Sequence, residues 1–193
     1  MSQTIRNIAI FASGNGSNFE AIVRACRDKK IEGATVSLLV CDRHDAYVLE
    51  RAKRLDIKPF VFDLKSYSSK KEYEQNILNV LRDNDIHLIC LAGYMRIVGD
   101  TLLEAFPNRI LNIHPSLLPS FKGAIAIIEA FEFGVKVFGV TVHLIDNTID
   151  GGTIIAQRAF EYHGDSLEEV EHRIHEIEYQ LYPEAINMLL STI

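Results

Sequence analysis

The sequence predicts an α/β protein of three layers, with a Rossmann-like, mostly parallel mixed sheet, a carboxy-terminal antiparallel hairpin and a long last helix. Three observations predict it. Short runs rich in Val, Ile and Leu alternate with segments of helical periodicity, the pattern of repeated strand–helix units. One run, Ile86 to Leu91, is dominated by apolar residues, as a central strand covered on both faces must be. Late in the chain, Val137 to Ile145 and Thr153 to Tyr162 flank a polar loop and read as a hairpin, after which helical periodicity continues to about Leu190.

Length and composition narrow the class. A chain of 193 residues, 48% of them apolar, suits one domain with a sizeable core. Its formal charge of -6 argues against nucleic acid as a bulk partner, because phosphate backbones attract basic faces. Cys26, Cys41 and Cys90 are widely spaced in apolar contexts, giving neither a disulfide framework nor a zinc pattern, so buried packing in a reducing compartment is expected. The amino terminus has no apolar core like that of a signal peptide, and no run approaches membrane-spanning length. A soluble, cytoplasmic protein is the expectation.

In chain order, Asn7 to Ala12 is a strand that ends in Ser13-Gly14-Asn15-Gly16-Ser17-Asn18, and Phe19, Ile22 and Val23 follow at helical spacing. Strand, Gly-rich turn and helix together present backbone N–H groups and a positive dipole end to an anion, with Ser17 or Asn18 as helix cap. An ordinary capped turn has the same pattern. A dinucleotide reading is weaker, since Phe19 stands where the third glycine of that fingerprint belongs, although Asp42 lies where a ribose-binding acid would sit. Thr35 to Cys41 and Lys58 to Phe62 are strands, with a helix from Asp45 to Arg54 between them. Ser68 is expected to cap a helix over 69–83 that turns Tyr73, Ile77, Val80 and Leu81 inward, with Lys70 and Lys71 in its first turn.

The strand Ile86 to Leu91 runs into Ala92-Gly93-Tyr94-Met95-Arg96-Ile97-Val98. An aromatic, a Met and apolar residues at a strand's carboxyl end suit either a pocket wall for a flat ligand or a loop folded onto the core. A short helix over 100–106 and a strand from Arg109 to Ile113 lead to Asn112-Ile113-His114-Pro115-Ser116-Leu117-Leu118-Pro119, whose prolines forbid further strand or helix. Alternation puts Asn112 and His114 on one side of the strand, so an amide and a titratable imidazole are aimed together. A helix over 124–133 precedes the hairpin. Asp165-Ser166-x-Glu168 is expected to cap the last helix, in which Pro183 predicts a kink or break.

Asp150, in the hairpin loop before Gly151-Gly152, adds a carboxylate to this set. A carboxylate beside a histidine raises the imidazole's pKa and fixes its orientation. Amide and protonated imidazole suit the oxyanion of an acyl-transfer intermediate. No Ser or Cys stands in a nucleophile-elbow pattern, so transfer would be direct. Asp150 also reads as a simple turn residue. His143 reads as a core or supporting histidine. His172 and His175 have a spacing able to hold a metal, but with no third ligand evident they read as a solvated helix face.

The Ser13–Asn18 turn, the Ala92–Ile97 segment, the Asn112–Pro119 block and Asp150-Gly151-Gly152 together resemble the folate-dependent phosphoribosylglycinamide formyltransferase family, end to end and in order. The resemblance implies a single formyltransferase domain over 1–193, with a ribonucleotide phosphate-binding half (1–100) and a folate-binding and catalytic half (101–193). It implies direct formyl transfer from 10-formyltetrahydrofolate, as cosubstrate without a metal, to the glycyl amine of glycinamide ribonucleotide in purine synthesis. By motif, Gly16, Ser17 and Asn18 would hold the substrate phosphate, and Glu178 would contact the ribonucleotide. Asn112 would bind the formyl oxygen, His114 would stabilise the oxyanion and pass a proton to the leaving nitrogen, and Asp150 would keep His114 protonated. Met95, Arg96, Ile97 and Val98 would line the folate pocket. Lys70 stands near a position where some members carry a folate-contacting arginine, and Lys lacks the planar fork. The partners implied are these small molecules, with no nucleic acid or membrane, in a monomer or homodimer. Formyltetrahydrofolate hydrolase is the alternative within the superfamily, and an NAD-linked oxidoreductase using Asp42 is the alternative outside it.

Overall fold

The structure is a computed structural model that describes residues 5–192. Its contacts divide the chain into two compact units, one ending at Leu111 and one beginning at Asn112. The first unit holds strands β1 (Arg6–Phe11), β2 (Ala34–Cys41), β3 (Lys58–Val61) and β4 (Ile86–Leu91) and helices α1 (Ser17–Arg27), α2 (Val48–Arg54), α3 (Lys70–Asp83) and α4 (Asp100–Ala105). Strand β5 (Ile110–His114) carries the chain into the second unit. That unit continues with α5 (Ala126–Phe133), β6 (Val137–Leu144), β7 (Ile154–Glu161) and α6 (Leu167–Leu190). The sheet runs β3-β2-β1-β4-β5-β6-β7, with β1 parallel to β2 and β4, and β6 antiparallel to β7. The mixed, mostly parallel α/β architecture is therefore the one its alternating pattern predicts.

In the first unit, Ile10 pairs with Leu39 on one side and Cys90 on the other, and all three are fully buried. Each such aliphatic side chain contributes roughly 1.5–3 kcal/mol by leaving water. Phe19, where a dinucleotide fingerprint would need glycine, is also fully buried and packs α1 onto this sheet layer. Parallel strands of this kind direct their carboxyl ends, and the loops that follow them, to one edge. The Gly-rich turn follows β1 and the Met95 loop follows β4, so the fold delivers both to that edge.

Several local expectations shift. The cap of α1 is Gly16, in the left-handed region at φ 79, and neither Ser17 nor Asn18 caps it. Ser69, one residue later than expected, caps α3 by accepting from the Glu72 N–H at 3.2 Å, while Ser68 donates its main-chain N–H and hydroxyl to the Glu72 carboxylate. On α3, Leu78 is buried and Val80 only half-buried. Helix α6 runs unbroken through Pro183, which is buried, as are Tyr182, Ala185 and Ile186 on the same helix. One forfeited main-chain hydrogen bond is offset by that burial. Ser166 caps α6 by accepting from Glu169, not Glu168. Cys41 and Cys90 are buried, but Cys26 is only half-buried. Among the described residues no helix is long and apolar enough to cross a membrane.

Candidate active site

The carboxy-terminal unit places a compact polar cluster at the end of β5. Asn112 and His114 alternate onto one side of the strand, and His114 is only 4% exposed. His114 Nε2 lies 2.8 Å from the Phe121 carbonyl oxygen. A carbonyl can only accept, so Nε2 carries the hydrogen and Nδ1 is the nitrogen left to gain or lose a proton. Nδ1 faces Asp150 Oδ2 at 3.6 Å, an ion-pair separation longer than a hydrogen bond. The same carboxylate oxygen accepts the Gly123 N–H at 2.8 Å, which fixes the acid. Asp150 itself sits in the left-handed region at φ 47, a strained setting that Asp tolerates better than most residues.

His143, read from the sequence as a supporting or core residue, belongs to this cluster. Its Nδ1 lies 2.9 Å from the Leu144 carbonyl, so Nδ1 donates and Nε2 offers a lone pair. Asn112 Nδ2 donates to that Nε2 at 3.2 Å, and Asp150 Oδ1 lies 3.8 Å away. Burial pushes the His143 pKa down, against the opposing pull of Leu144 and Asp150, so the ring is kept neutral. Asp150 thus stands between one buried neutral histidine and the titratable nitrogen of the other.

The loop after β5 is rigid for reasons visible in its hydrogen bonds. Thr141, fully buried on β6, donates its hydroxyl to the Ser116 carbonyl and accepts the Leu118 N–H. Gln157 on β7 donates to the Leu118 carbonyl and to Thr141 Oγ1. Ser116 closes the turn by donating to the Ser120 carbonyl at 2.6 Å. These bonds hold the chain so that the Phe121 carbonyl meets His114. On α6 of the same unit, Glu178 is 4% exposed and accepts a 2.9 Å hydrogen bond from His175 Nδ1, which raises the His175 pKa. His172 instead is exposed beside Glu176. Among the described residues no group of three or more His, Cys, Asp or Glu is arranged to hold a metal ion.

The amino-terminal unit carries two further features. At the Gly-rich turn Gly16 caps α1 without a side-chain hydrogen bond, so the helix start, with its positive dipole end, is formed by the turn's own backbone. After β4, the Met95–Gly99 loop is pinned at three points. The Met95 N–H donates to Ser13 Oγ at 2.9 Å, Arg96 Nε donates to Asp42 Oδ2 at 2.7 Å, and the Gly99 N–H donates to Glu74 Oε1 at 2.7 Å. Asp42 and Glu74 are both buried, and Lys70 lies 3.9 Å from Glu74. Met95 and Ile97 are nonetheless 60% and 68% exposed, whereas Val98 turns inward. A loop held rigid while it presents apolar side chains outward suits a flat, largely apolar ligand. Arg96 engages only Oδ2 of Asp42, whose Oδ1 is buried without a hydrogen-bond partner.

Residues 6–186 match the formyl transferase family model. The chain is 51% identical over 187 residues to the phosphoribosylglycinamide formyltransferase of Bacillus subtilis, covering 96% of this chain and 95% of that protein. The Haemophilus influenzae enzyme of the same name is 39% identical over 93% of this chain and 84% of its own length. The chain belongs to the phosphoribosylglycinamide formyltransferase family. Among solved members, glycinamide ribonucleotide transformylase 1 from Geobacillus kaustophilus superposes with a TM-score of 0.93 at 49% identity, covering 96% of this chain and 99% of that one. The resemblance read from the four motifs is therefore borne out as to family and fold, and the oxidoreductase alternative falls. As a formyltransferase of purine biosynthesis the chain is an enzyme, and the family's formyl donor is a folate.

Proposed function

We propose that the enzyme transfers the formyl group of 10-formyltetrahydrofolate directly to the glycyl amine of glycinamide ribonucleotide, with His114, Asn112 and Asp150 as its catalytic residues. The observation that carries this reading is the setting of His114, whose Nε2 is committed to the Phe121 carbonyl while Nδ1 faces a fixed carboxylate. In the reaction the amine nitrogen bonds to the formyl carbon, and the bond from that carbon to the folate nitrogen breaks. The amine loses one proton and the leaving nitrogen gains one. As an imidazolium, His114 donates from Nδ1 to the developing oxyanion and then supplies the proton to the leaving nitrogen. Asp150 stabilises that cation and takes up the amine's proton through water. Asn112 has given one amide hydrogen to His143, and its second remains for the formyl oxygen. Each such donor is worth about 2.7–4 kcal/mol in the transition state.

In this reading Gly16, Ser17 and Asn18 bind the ribonucleotide phosphate and Glu178 contacts the same substrate. Met95, Arg96, Ile97 and Val98 line the folate site, with Lys70 beside them. The Arg96 guanidinium serves partly to hold the loop through Asp42. The support is the glycine-capped start of α1 with its positive dipole end, the burial of Glu178 and the outward apolar side chains of the pinned loop. The chain works as one formyltransferase domain over 1–193, with the phosphate half at 1–100 and the folate and catalytic half at 101–193. It acts in the cytoplasm as a monomer or homodimer.

The test is His114→Ala, assayed by single-turnover formyl transfer and by ribonucleotide titration. The expected result is a loss of at least about a hundredfold in rate with ribonucleotide affinity unchanged. A variant retaining full rate removes His114 from the mechanism. Product analysis separates transfer from hydrolysis, since a hydrolase releases formate whether or not ribonucleotide is present.

A further inference from the structure

Arg51 on α2 takes no part in the chemistry described above, yet it makes the most specific contact to the Gly-rich turn. Its Nε donates to the Asn15 carbonyl at 2.8 Å and its Nη2 donates to Asn15 Oδ1 at 2.7 Å. One guanidinium therefore grips one residue by both its main-chain and side-chain oxygens, with a planar fork whose geometry is fixed where an ammonium's three donors rotate freely. The guanidinium is fixed in turn. It pairs with the buried carboxylate of Glu20 on α1 and lies 5.1 Å over the Tyr47 ring.

The rest of α2 completes the grip. The Val48 N–H donates to the Gly14 carbonyl at 3.0 Å. A Cβ on Gly16 would fall 2.3 Å from Val48 Cγ2, so the valine closes down on the glycine, which is itself left-handed at φ 79. Three successive turn residues are thus each held by α2. Both carbonyl oxygens at 14 and 15 are occupied by donors, so their negative ends are neutralised where an anion approaches. Arg24 and Arg54 join Arg51 around the single carboxylate of Glu20, which leaves an excess of positive charge beside the turn.

We propose that Arg51 is a positioning residue for the ribonucleotide phosphate, setting the Gly14–Ser17 turn in its anion-receiving shape without touching the substrate. The proposal rests on the reading of that turn as the phosphate site.

The experiment is steady-state kinetics of the full chain with Arg51→Lys, Asn15→Ala, the double variant and Gly16→Ala, each checked for folding by thermal unfolding. Arg51→Lys is expected to raise KM for glycinamide ribonucleotide about tenfold, the loss of one charge-assisted hydrogen bond, with kcat and the folate KM within about twofold. Asn15→Ala leaves the Arg51–Glu20 pair in place and is expected to raise the same KM. The double variant should be no worse than Arg51→Lys by more than about twofold, because both remove one interaction. A folded Arg51→Lys with unchanged KM, or a double variant whose effects multiply, overturns the proposal. If Arg51→Lys does not fold, an unchanged KM in Asn15→Ala overturns it and a raised one supports it. Gly16→Ala separates the two readings. Unchanged ribonucleotide KM in that variant sinks the phosphate site itself, whereas a raised KM there beside a normal Arg51→Lys sinks only the positioning role.

Discussion

Asp150→Asn is the sharpest probe of the catalytic cluster, because it changes charge while preserving shape. An asparagine oxygen can still accept the Gly123 N–H that Asp150 accepts at 2.8 Å. Its amide nitrogen would take the place of Oδ1, which lies 3.8 Å from His143 Nε2. What disappears is a negative charge 3.6 Å from His114 Nδ1, on a side chain only 14% exposed. At an effective dielectric constant near 20, two unit charges about 4 Å apart interact by about 4 kcal/mol, equivalent to about three decades in rate. Access of water to the partly exposed acid lowers that figure, so a loss of about 10²–10³ in single-turnover rate is expected. The assay is formyl transfer measured from pH 5 to pH 9 with both substrates saturating. A variant within about threefold of the parent across that range, a difference below 1 kcal/mol, refutes the role assigned to Asp150.

Two other outcomes follow from the amino-terminal unit. Burial pushes the Glu20 carboxyl up, but hydrogen bonds and charge from Arg24, Arg51 and Arg54 outweigh it and hold its pKa at about 2, below the ordinary 4.5. A depressed folded-state value means stability that is present above pH 4.5 and lost as the pH falls toward 2. Because Arg24 and Arg54 are largely exposed, about 1–2 kcal/mol is expected after screening. Urea unfolding of Glu20→Gln and parent should show a gap at pH 7 that narrows below pH 4.5 and closes only as the pH falls toward 2, and a gap independent of pH contradicts the assignment. Glu74→Ala removes the acceptor of the Gly99 N–H and the partner of Lys70, so affinity for a folate analogue should fall about tenfold while ribonucleotide KM holds. Glu74→Gln keeps an acceptor and should restore most of the affinity, and equal affinity in all three proteins would rule out the anchoring role.

The sequence carried the architecture because strand–helix alternation is a local property. The positions of Asn112 and His114 followed from alternation along one strand, and the glycine turn followed from its own composition. Other features depend on contacts between distant residues, which no local period encodes. His143 joins the cluster only because β6 lies beside the end of β5, and its lone histidine in an apolar strand looks the same as a core residue. Arg51 is 36 residues from Asn15 and reads as one basic residue among several on a short helix. Ser68 and Ser69 both suit a helix cap, and only the direction of the Glu72 bonds decides between them. Pro183 predicts a break from propensity alone, but the burial of its ring keeps α6 whole. A signal for His143 did exist in the regular alternation of Val137 to Leu144, which put it on the same strand face as Thr141.

The alignment of the catalytic imidazole by the Phe121 carbonyl has a consequence for how this enzyme can vary. The group that orients the ring is main chain, so no particular side chain at position 121 is required for it. The demand falls on conformation, since residue 121 adopts φ 50, where Val and Ile are strongly disfavoured and Asn or Gly is at ease. Drift at this site is thus filtered by backbone geometry, and a substitution that appears drastic by polarity can be silent while an aliphatic one of similar size is not.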